Sequence, residues 1–265
     1  MDEQPIKDIS RLIRQLNELP NHFIYRGQAN AEWEIQSSLE RTIGDSWSKE
    51  TAKRFEDFSL IQFQSKFHLY DRENIQPDSK LAWLSVMQHY GVPTRLVDFT
   101  ESPYVALYFA LESYSPHSKN DFSVFALDYT ATMEQSLEEI RKMDSGFTET
   151  RQTLHDKRDA VFENVVDRFS YDILWVTEPK QMNTRLDRQA GSFLLSGNGG
   201  IKIDSVIHSP PYKGVAFTKF TIDHSLYASV FALLRKMNIT SKSLYGDLDG
   251  LARALRMEMQ VRSAQ

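Results

Sequence analysis

The stretch HYGVPTRLVDFTESPYVALYFAL, residues 89–111, places a polar, proline-containing segment directly before an apolar run. Gly91 ends a helical pattern that precedes it, and Pro93 restricts the residue before it to extended conformations. Ser102 and Pro103 then give a strong helix start, a serine cap followed by proline at the first helical position. The stretch therefore predicts a helix end, a constrained loop and a buried helix in succession.

Hydrophobic periodicity on both sides of this stretch predicts alternating helices and strands. Further helices are predicted over residues 7–19, 49–70, 79–90, 131–169 (with a break near 144–146), 223–237 and 240–260 (with breaks at Gly246 and Gly250). Strands are predicted over residues 22–26, 122–129, 172–177, 192–195 and 215–222. We find no repeat and no linker rich in proline, serine and glycine.

This order of elements predicts the α+β class. We expect one domain over residues 1–265, with a central mixed or antiparallel sheet surrounded by helices. An N-terminal helix is expected within residues 1–20 and a C-terminal helical segment within residues 223–265.

The composition excludes several classes of protein. The 265 residues are 41% hydrophobic and 25% charged, which is typical of a globular protein. Cysteine is absent, so disulfides, thiolate nucleophiles and cysteine-ligated metal sites are excluded. The histidines show no metal-ligand spacing, so we expect no metal.

The net charge of −5 argues against a protein whose main function is to bind nucleic acid through its phosphates. Arg141, Lys142 and the arginines of residues 151–158 form either a local basic strip or a solvated helix face. The N-terminus does not resemble a signal peptide, and no apolar run is long enough to span a bilayer. We therefore expect a cytoplasmic protein with no membrane partner.

The segment YRGQ, residues 25–28, ends a predicted strand with an arginine beside a glycine. The guanidinium of Arg26 suits a phosphate or carboxylate ligand, and Gly27 permits a close approach. The alternative is an ion pair between Arg26 and either Asp98 or Glu40 that stabilises the fold.

The loop after residue 88 offers a second group of candidate residues. His89 and Tyr90 would supply an aromatic wall and a hydrogen bond, or His89 would satisfy the end of its helix. Arg95 and Asp98 are spaced to pair across the loop. Thr100 and Ser102 extend a hydrogen-bonded network at a helix start that also suits an anion.

Gln189 lies in an irregular polar segment before a predicted strand, either on the surface or pointing into a cleft. The motifs GxSxG, GxxxxGK[ST] and GxGxxG are absent from the sequence. Their absence argues against a hydrolase elbow, a P-loop and a dinucleotide-binding Rossmann fold.

At these positions the chain resembles a known family, the FRG domain, which is named for an aromatic-Arg-Gly motif. The matching residues are Tyr25-Arg26-Gly27-Gln28, Trp33, Ser38-Leu39-Glu40-Arg41, residues 89–100, Ser102-Pro103, residues 106–110, Arg185, Gln189, Gly191 and Phe193. Phe99 stands where the family pattern has tryptophan, so an aromatic residue is kept.

The layout of this family is similar to that of ADP-ribosyltransferases, which implies NAD as the substrate and no metal. The resemblance implies catalytic roles for Arg26, His89, Tyr90 and Gln189. It implies NAD contacts from Tyr25, Gly27, Gln28, Arg95 and Tyr108. Asp98, Thr100 and Ser102 are expected to form a supporting network, and Asp98 or Glu101 is expected to stabilise the ribose cation.

The activity expected from this resemblance is transfer of ADP-ribose to protein or nucleic acid, as in a toxin or an anti-phage effector. Two alternatives remain open at the level of sequence. One is an NAD glycohydrolase or a metal-independent nuclease that uses His89 and the arginines. The other is a non-catalytic module that binds a small ligand.

Overall fold

The structure, a computed structural model, describes residues 1–70, 76–115 and 117–263. Its strands are Asp2–Ile6 (β1), Phe23–Gln28 (β2), Val97–Thr100 (β3), Phe122–Asp128 (β4), Leu174–Thr177 (β5), Gly191–Ser196 (β6) and Phe217–Ile222 (β7). Within the described ranges these seven strands form one sheet in the order β1-β7-β4-β2-β3-β6-β5. The β1–β7 pair is parallel and the other pairs are antiparallel.

Helices surround this mixed sheet. They are Ile9–Glu18 (α1), Ser38–Ile43 (α2), Lys49–Phe67 (α3), Lys80–His89 (α4), Pro103–Glu112 (α5), Tyr129–Met143 (α6), Arg151–Asn164 (α7), Thr184–Arg188 (α8), Ile203–Ile207 (α9), Tyr227–Lys236 (α10), Ser241–Tyr245 (α11) and Leu248–Ser263 (α12). The predicted single α+β domain with a central mixed sheet is confirmed. Residues 264–265 of the predicted C-terminal segment lie outside the described residues.

Strand β2 lies inside the sheet, and its two faces meet different buried clusters. Ile24 belongs to one cluster and Tyr25 to the other, as the alternation of side chains along a strand requires. Arg26 therefore faces the side of Ile24. Gly27 faces α5, where a Cβ atom at this position would lie 1.8 Å from the backbone oxygen of Ala106. The glycine lets the helix and the strand approach closely.

The stretch at residues 89–111 folds as predicted at its two ends. Helix α4 ends in a turn in which the N–H groups of Gly91 and Val92 donate to the oxygens of Gln88 and Met87, at 3.0 and 2.9 Å. Gly91 has the left-handed φ of 81° that this turn requires. At the other end, the Ser102 hydroxyl caps α5.

The middle of this stretch is a strand where we predicted a loop. The sequence VDFT of β3 alternates apolar and polar side chains, and Phe99 is buried while Asp98 is exposed. Four residues are too short a run for periodicity to separate a strand from a loop. Strand β1 and the short helices α2, α8 and α9 were also missed. The predicted break at Gly250 is wrong, because this residue lies inside α12, packed against α11.

Arg95 does not pair with Asp98, contrary to the sequence prediction. Its Nε atom lies 3.1 Å from Glu56 on α3, and its Nη2 atom contacts Asp167. Its guanidinium also packs over the rings of Phe162 and Phe169, at 5.1 and 4.2 Å from the ring centroids. The arginine joins α3, α7 and the turn after α7 to the start of β3.

Lys80 completes this ionic network. Its Nζ atom lies 3.2 Å from Glu56 and 2.9 Å from Asp167. Burial alone would lower the pKa of Lys80, but the two carboxylates more than offset that effect, so the pKa is raised. Two cations and two carboxylates therefore neutralise one another inside the fold.

Among the helices of the described ranges, none combines the length and apolar character needed to cross a membrane.

Candidate functional site

Arg26 extends from β2 into a small cavity, here called the Arg26 cavity, at the point where β2 and β3 separate. In the described strands, the register of these two neighbours contains a single pair, Tyr25 with Thr100. Beyond that pair, Arg26 Nη1 donates to the backbone oxygen of Asp98 at 2.8 Å. The cavity has a volume of about 130 Å³ and is lined by Arg26, Gln36, Ser38, Arg41, Gln88, Gly91, Val92, Leu96, Val97 and Asp98.

A second arginine, Arg41 on α2, lines the same cavity and donates to the backbone oxygen of Gln36 at 2.7 Å. Over the part of the chain that the structure describes, neither Arg26 nor Arg41 forms an ion pair. Burial lowers the pKa of Arg26 to about 10; Asp98 raises this pKa and Arg41 lowers it. At neutral pH, two cations thus face one concave surface.

The carboxylate of Asp98 is oriented by a chain of side-chain hydrogen bonds. Thr94 donates its hydroxyl proton to the Oε1 atom of Gln88. This contact directs the amide nitrogen of Gln88 toward Asp98, where Nε2 donates to Oδ1 at 2.7 Å. Asp98 therefore accepts a hydrogen bond from a neutral group at the cavity.

Gln88 and Asp98 also line a neighbouring recess of about 50 Å³, here called the Gln189 cavity. Its other lining residues are Ser85, His89, Asn183, Arg185, Leu186, Gln189 and Phe193. The backbone oxygen of Gln189 accepts a hydrogen bond from Thr100 at 2.7 Å. Its side-chain Nε2 atom is buried and has no partner among the described residues. This donor is available for a ligand.

His89, Asn183 and Arg185 are shared with a third and much larger space of about 1030 Å³, here called the Tyr90 cavity. The rings of His89 and Tyr90 meet edge to face, with centroids 4.7 Å apart. Burial and the charge of Arg185 lower the pKa of His89, and Asp247 opposes them. His89 is therefore neutral at neutral pH and able to accept a proton.

Part of this region matches a known family model. Residues 21–119 match the model of the FRG domain. This segment of the chain is similar to the FRG domain. The match includes β2, α4, β3 and α5, and therefore Arg26, Asp98, His89 and Tyr90. Neither the curated proteins nor the solved structures contain a match to the chain.

The fold brings four predicted residues along a row of adjoining cavities. Arg26 lines the first, Gln189 the second and Tyr90 the third, while His89 lies in the wall between the second and third. Asp98 joins the first cavity to the second. Arg26 and Gln189, 163 positions apart in the sequence, thus meet near one end of β3, and shared walls connect their cavities.

Other predicted NAD contacts lie on the opposite face of the sheet. Tyr25 and Tyr108 are buried in the cluster around α5, and Gly27 packs against this helix. The hydroxyl of Tyr108 donates to Glu112 at 2.7 Å, and burial is the main cause of its raised pKa. These contacts give the three residues a packing role in the fold.

The remaining predicted residues also have partners within the protein. Gln28 is buried, and its Nε2 atom donates to the backbone oxygen of Glu34 at 3.2 Å. Arg95 is held in its ionic network. Thr100 accepts a hydrogen bond from the backbone N–H of Ser102 at 3.1 Å.

Glu101 lies in a different cavity from Asp98. This fourth cavity, of about 320 Å³, includes Ser192, Tyr129 and the arginines of α7 among its lining residues. The basic strip predicted there is compensated, because Arg151 Nε lies 2.9 Å from Glu134 and Arg158 pairs with Glu178. Of the two carboxylates considered for the ribose cation, the geometry favours Asp98.

Asp121, Asp223 and His224 bring possible metal ligands within 4.8 Å of one another. The backbone N–H of His224 donates to Asp121 at 3.0 Å, and Asp223 accepts hydrogen bonds from Ser225. Hydrogen bonds at this turn account for the cluster.

Sequence reasoning missed Arg41 and Gln88 as site residues. Arg41 was already part of the SLER segment that resembles the family, and its positive charge was the available signal. Gln88 precedes His89 by one position, but nothing in its local sequence indicates that its amide contacts Asp98.

Proposed function

We propose that this protein transfers ADP-ribose from NAD, with the pyrophosphate bound between Arg26 and Arg41. The observation that carries the proposal is the convergence of two cations without ion-pair partners in the described chain on one cavity. Like charges at close range repel each other, and a bound anion removes this repulsion. Guanidinium groups also match the oxygen geometry of phosphates.

The adjoining Gln189 cavity supports the proposed cleavage of the bond between nicotinamide and ribose. Breaking the bond between nicotinamide and ribose creates positive charge at the ribose. A fixed carboxylate stabilises such charge without reorganisation, and Gln88 fixes that of Asp98. The free amide donor of Gln189 suits a ribose hydroxyl, because a neutral amide binds by hydrogen bonding and cannot remove a proton.

His89 supplies the base in this scheme. It lines the Gln189 cavity, and its lowered pKa keeps the imidazole neutral at neutral pH. A neutral imidazole accepts the proton that the acceptor loses as it bonds to the ribose. As a biological role, we propose a cytoplasmic toxin or anti-phage effector.

The test is NAD turnover by matched arginine variants. Arg26→Ala removes a charged hydrogen-bond donor, which is worth about 1.5–3 kcal/mol, so NAD affinity or turnover falls at least about tenfold. Arg41→Ala acts in the same direction. Arg11→Ala is the control, because it removes the same charge from the exposed surface of α1.

Radiolabelled NAD distinguishes the possible products. Label on a macromolecule together with free nicotinamide supports transfer. Nicotinamide release without a labelled macromolecule identifies water as the acceptor, which makes the protein a glycohydrolase. Unchanged NAD with no binding, or an Arg26→Ala variant equal to the wild type, refutes the proposal.

A further inference from the structure

The Tyr90 cavity combines aromatic and cationic side chains. Its lining residues include Phe63, Lys66 and Phe67 from α3, Tyr90 after α4, Arg185 and Arg188 from α8, and Tyr245 and Asp247 at the end of α11. Among the residues that the structure describes, three cations and one carboxylate line it, in a chain whose net charge is −5. This local excess of positive charge suits an anionic partner.

Tyr70 and Tyr90 offer the most accessible rings for stacking among the aromatic residues that line this cavity, and Tyr90 is the one in contact with His89. Tyr90 is 69% exposed. Phe63 and Phe67 instead direct their rings against Trp83, and the ring of Tyr245 packs against Arg185 and Arg253. An exposed ring beside cations is the arrangement that binds unpaired nucleotides. The base of each nucleotide stacks on the ring, and its phosphate attracts the cations.

The location of the cavity connects such a base to the proposed reaction. His89 lies in the wall shared with the Gln189 cavity, so a base that enters beside Tyr90 lies next to the proton acceptor. We propose that the Tyr90 cavity binds a base of single-stranded nucleic acid, and that an amino group of this base is the ADP-ribose acceptor. This inference rests on the proposed function and names its acceptor.

The step balances as a substitution at the ribose. A bond forms between the amino nitrogen of the base and C1′ of the ribose. The bond from C1′ to the nicotinamide nitrogen breaks, and its electron pair neutralises the pyridinium. The proton of the amino group passes to His89. The products are the ADP-ribosylated base and neutral nicotinamide.

A single strand fits this site better than a duplex. A stacked and paired base does not present its face to Tyr90, and unpairing it costs free energy. The net charge of −5 also opposes extended contact with the two phosphate backbones of a duplex. The cations of the cavity need to contact the backbone at a few positions only.

The first experiment measures binding in the absence of NAD, so that it does not depend on the proposed function. Fluorescence anisotropy is recorded for labelled DNA and RNA strands of about 12 nucleotides, and for the corresponding duplex. Titrations at about 50 and 200 mM salt give the number of phosphate contacts. We expect the single strand to bind more tightly than the duplex.

Matched variants locate the bound strand. Tyr90→Ala removes one stacking platform and weakens binding about tenfold. Lys66→Glu weakens binding and reduces the magnitude of the salt slope by about 1. Lys236→Glu, on the exposed surface of α10, makes the same charge change away from the cavity and leaves binding unchanged.

The second experiment supplies radiolabelled NAD together with the strand and with cell protein. Label on the strand, lost in Tyr90→Ala, supports the inference. No binding of the single strand, equal weakening by Lys236→Glu, or label on protein alone overturns it. If the strand binds through Tyr90 while NAD is neither bound nor consumed, the proposed transfer fails and the acceptor assignment fails with it, although the nucleic-acid site stands.

Discussion

Arg26 and Arg95 both lie against the central sheet, but only Arg95 is paired with carboxylates in the described chain. Arg95 is 5% exposed and lies between the carboxylates of Glu56 and Asp167. Arg26 donates to a backbone carbonyl and shares its cavity with a second cation, Arg41. One guanidinium is neutralised within the protein, whereas the other is not.

This difference is the reason for proposing Arg26, and not Arg95, as a binding residue. Removing charges from water has a large cost, which a protein offsets by pairing them. Once paired, the guanidinium of Arg95 has little capacity left for a ligand. Arg26 has no carboxylate at ion-pair distance in the described chain, although Asp98 lines the same cavity, so its charge remains available to an incoming anion. The two arginines are distinguished by whether their charge is paired within the protein, rather than by how deeply they are buried.

The largest expected effect comes from Arg95→Met. Methionine keeps a long side chain against the phenylalanine rings, but it leaves Glu56 and Asp167 with Lys80 as their remaining cation. Breaking a buried ionic network of this kind costs about 3–5 kcal/mol. We therefore expect the urea midpoint of Arg95→Met to fall far below that of the wild type.

Arg26→Met is the matched control for this comparison. It removes one hydrogen bond from a charged donor to a backbone oxygen, so we expect a loss of about 1.5–3 kcal/mol in the free energy of unfolding. If Arg26→Met costs as much as Arg95→Met, then Arg26 is a structural residue and the contrast between the two arginines disappears.

Local sequence signals predicted the helices and turns around these arginines better than they predicted the side chains with which the arginines pair. Ser102 and Pro103 identify the start of α5 from two adjacent residues, and Gly91 identifies the end of α4 in the same way. The pairing of Arg95 with Asp167 joins residues 72 positions apart. No periodicity records such a contact, so Asp98, three residues away, was the wrong partner.

The predicted site residues also fall into two groups, those that the structure brings together and those that it places elsewhere. Resemblance identified Arg26, His89, Tyr90 and Gln189, and the structure brings them to adjoining cavities. Resemblance also selected Tyr25 and Gly27, which share β2 with Arg26 but face α5. A motif lists consecutive residues, whereas a strand sends alternate side chains to opposite faces.

Gly27→Ala tests whether this opposite face is structural. An added methyl group would meet the backbone of α5, 1.8 Å from the oxygen of Ala106 and 2.6 Å from the nitrogen of Ala110. Helix and strand must then separate, which costs about 1–3 kcal/mol as overpacking does elsewhere. Thermal and urea unfolding measure the loss.

The matched substitution is Gly91→Ala. No atom lies within 4 Å of a Cβ at that position, so its cost comes from the left-handed φ of 81° and is about 1 kcal/mol. A smaller loss for Gly27→Ala than for Gly91→Ala contradicts the close packing of β2 on α5. In that case a ligand contact at Gly27 becomes the better explanation of the motif.

The smallest expected effect is the pH dependence contributed by His89, a titratable group next to an arginine. Burial and Arg185 lower the pKa of His89 in the folded state, and Asp247 raises it in part. Between this lowered pKa and the ordinary value of about 6.5, the unfolded chain binds more protons than the folded one. The free energy of unfolding therefore falls as the pH falls below about 6.5, and is unaffected by His89 above it.

Urea unfolding of the wild type and of His89→Gln between about pH 5 and 8 measures this slope. We expect a shallower slope in His89→Gln, and in Arg185→Gln because the pKa of His89 rises there. A slope unchanged by both substitutions contradicts the neutral, proton-accepting His89 that the proposed reaction requires.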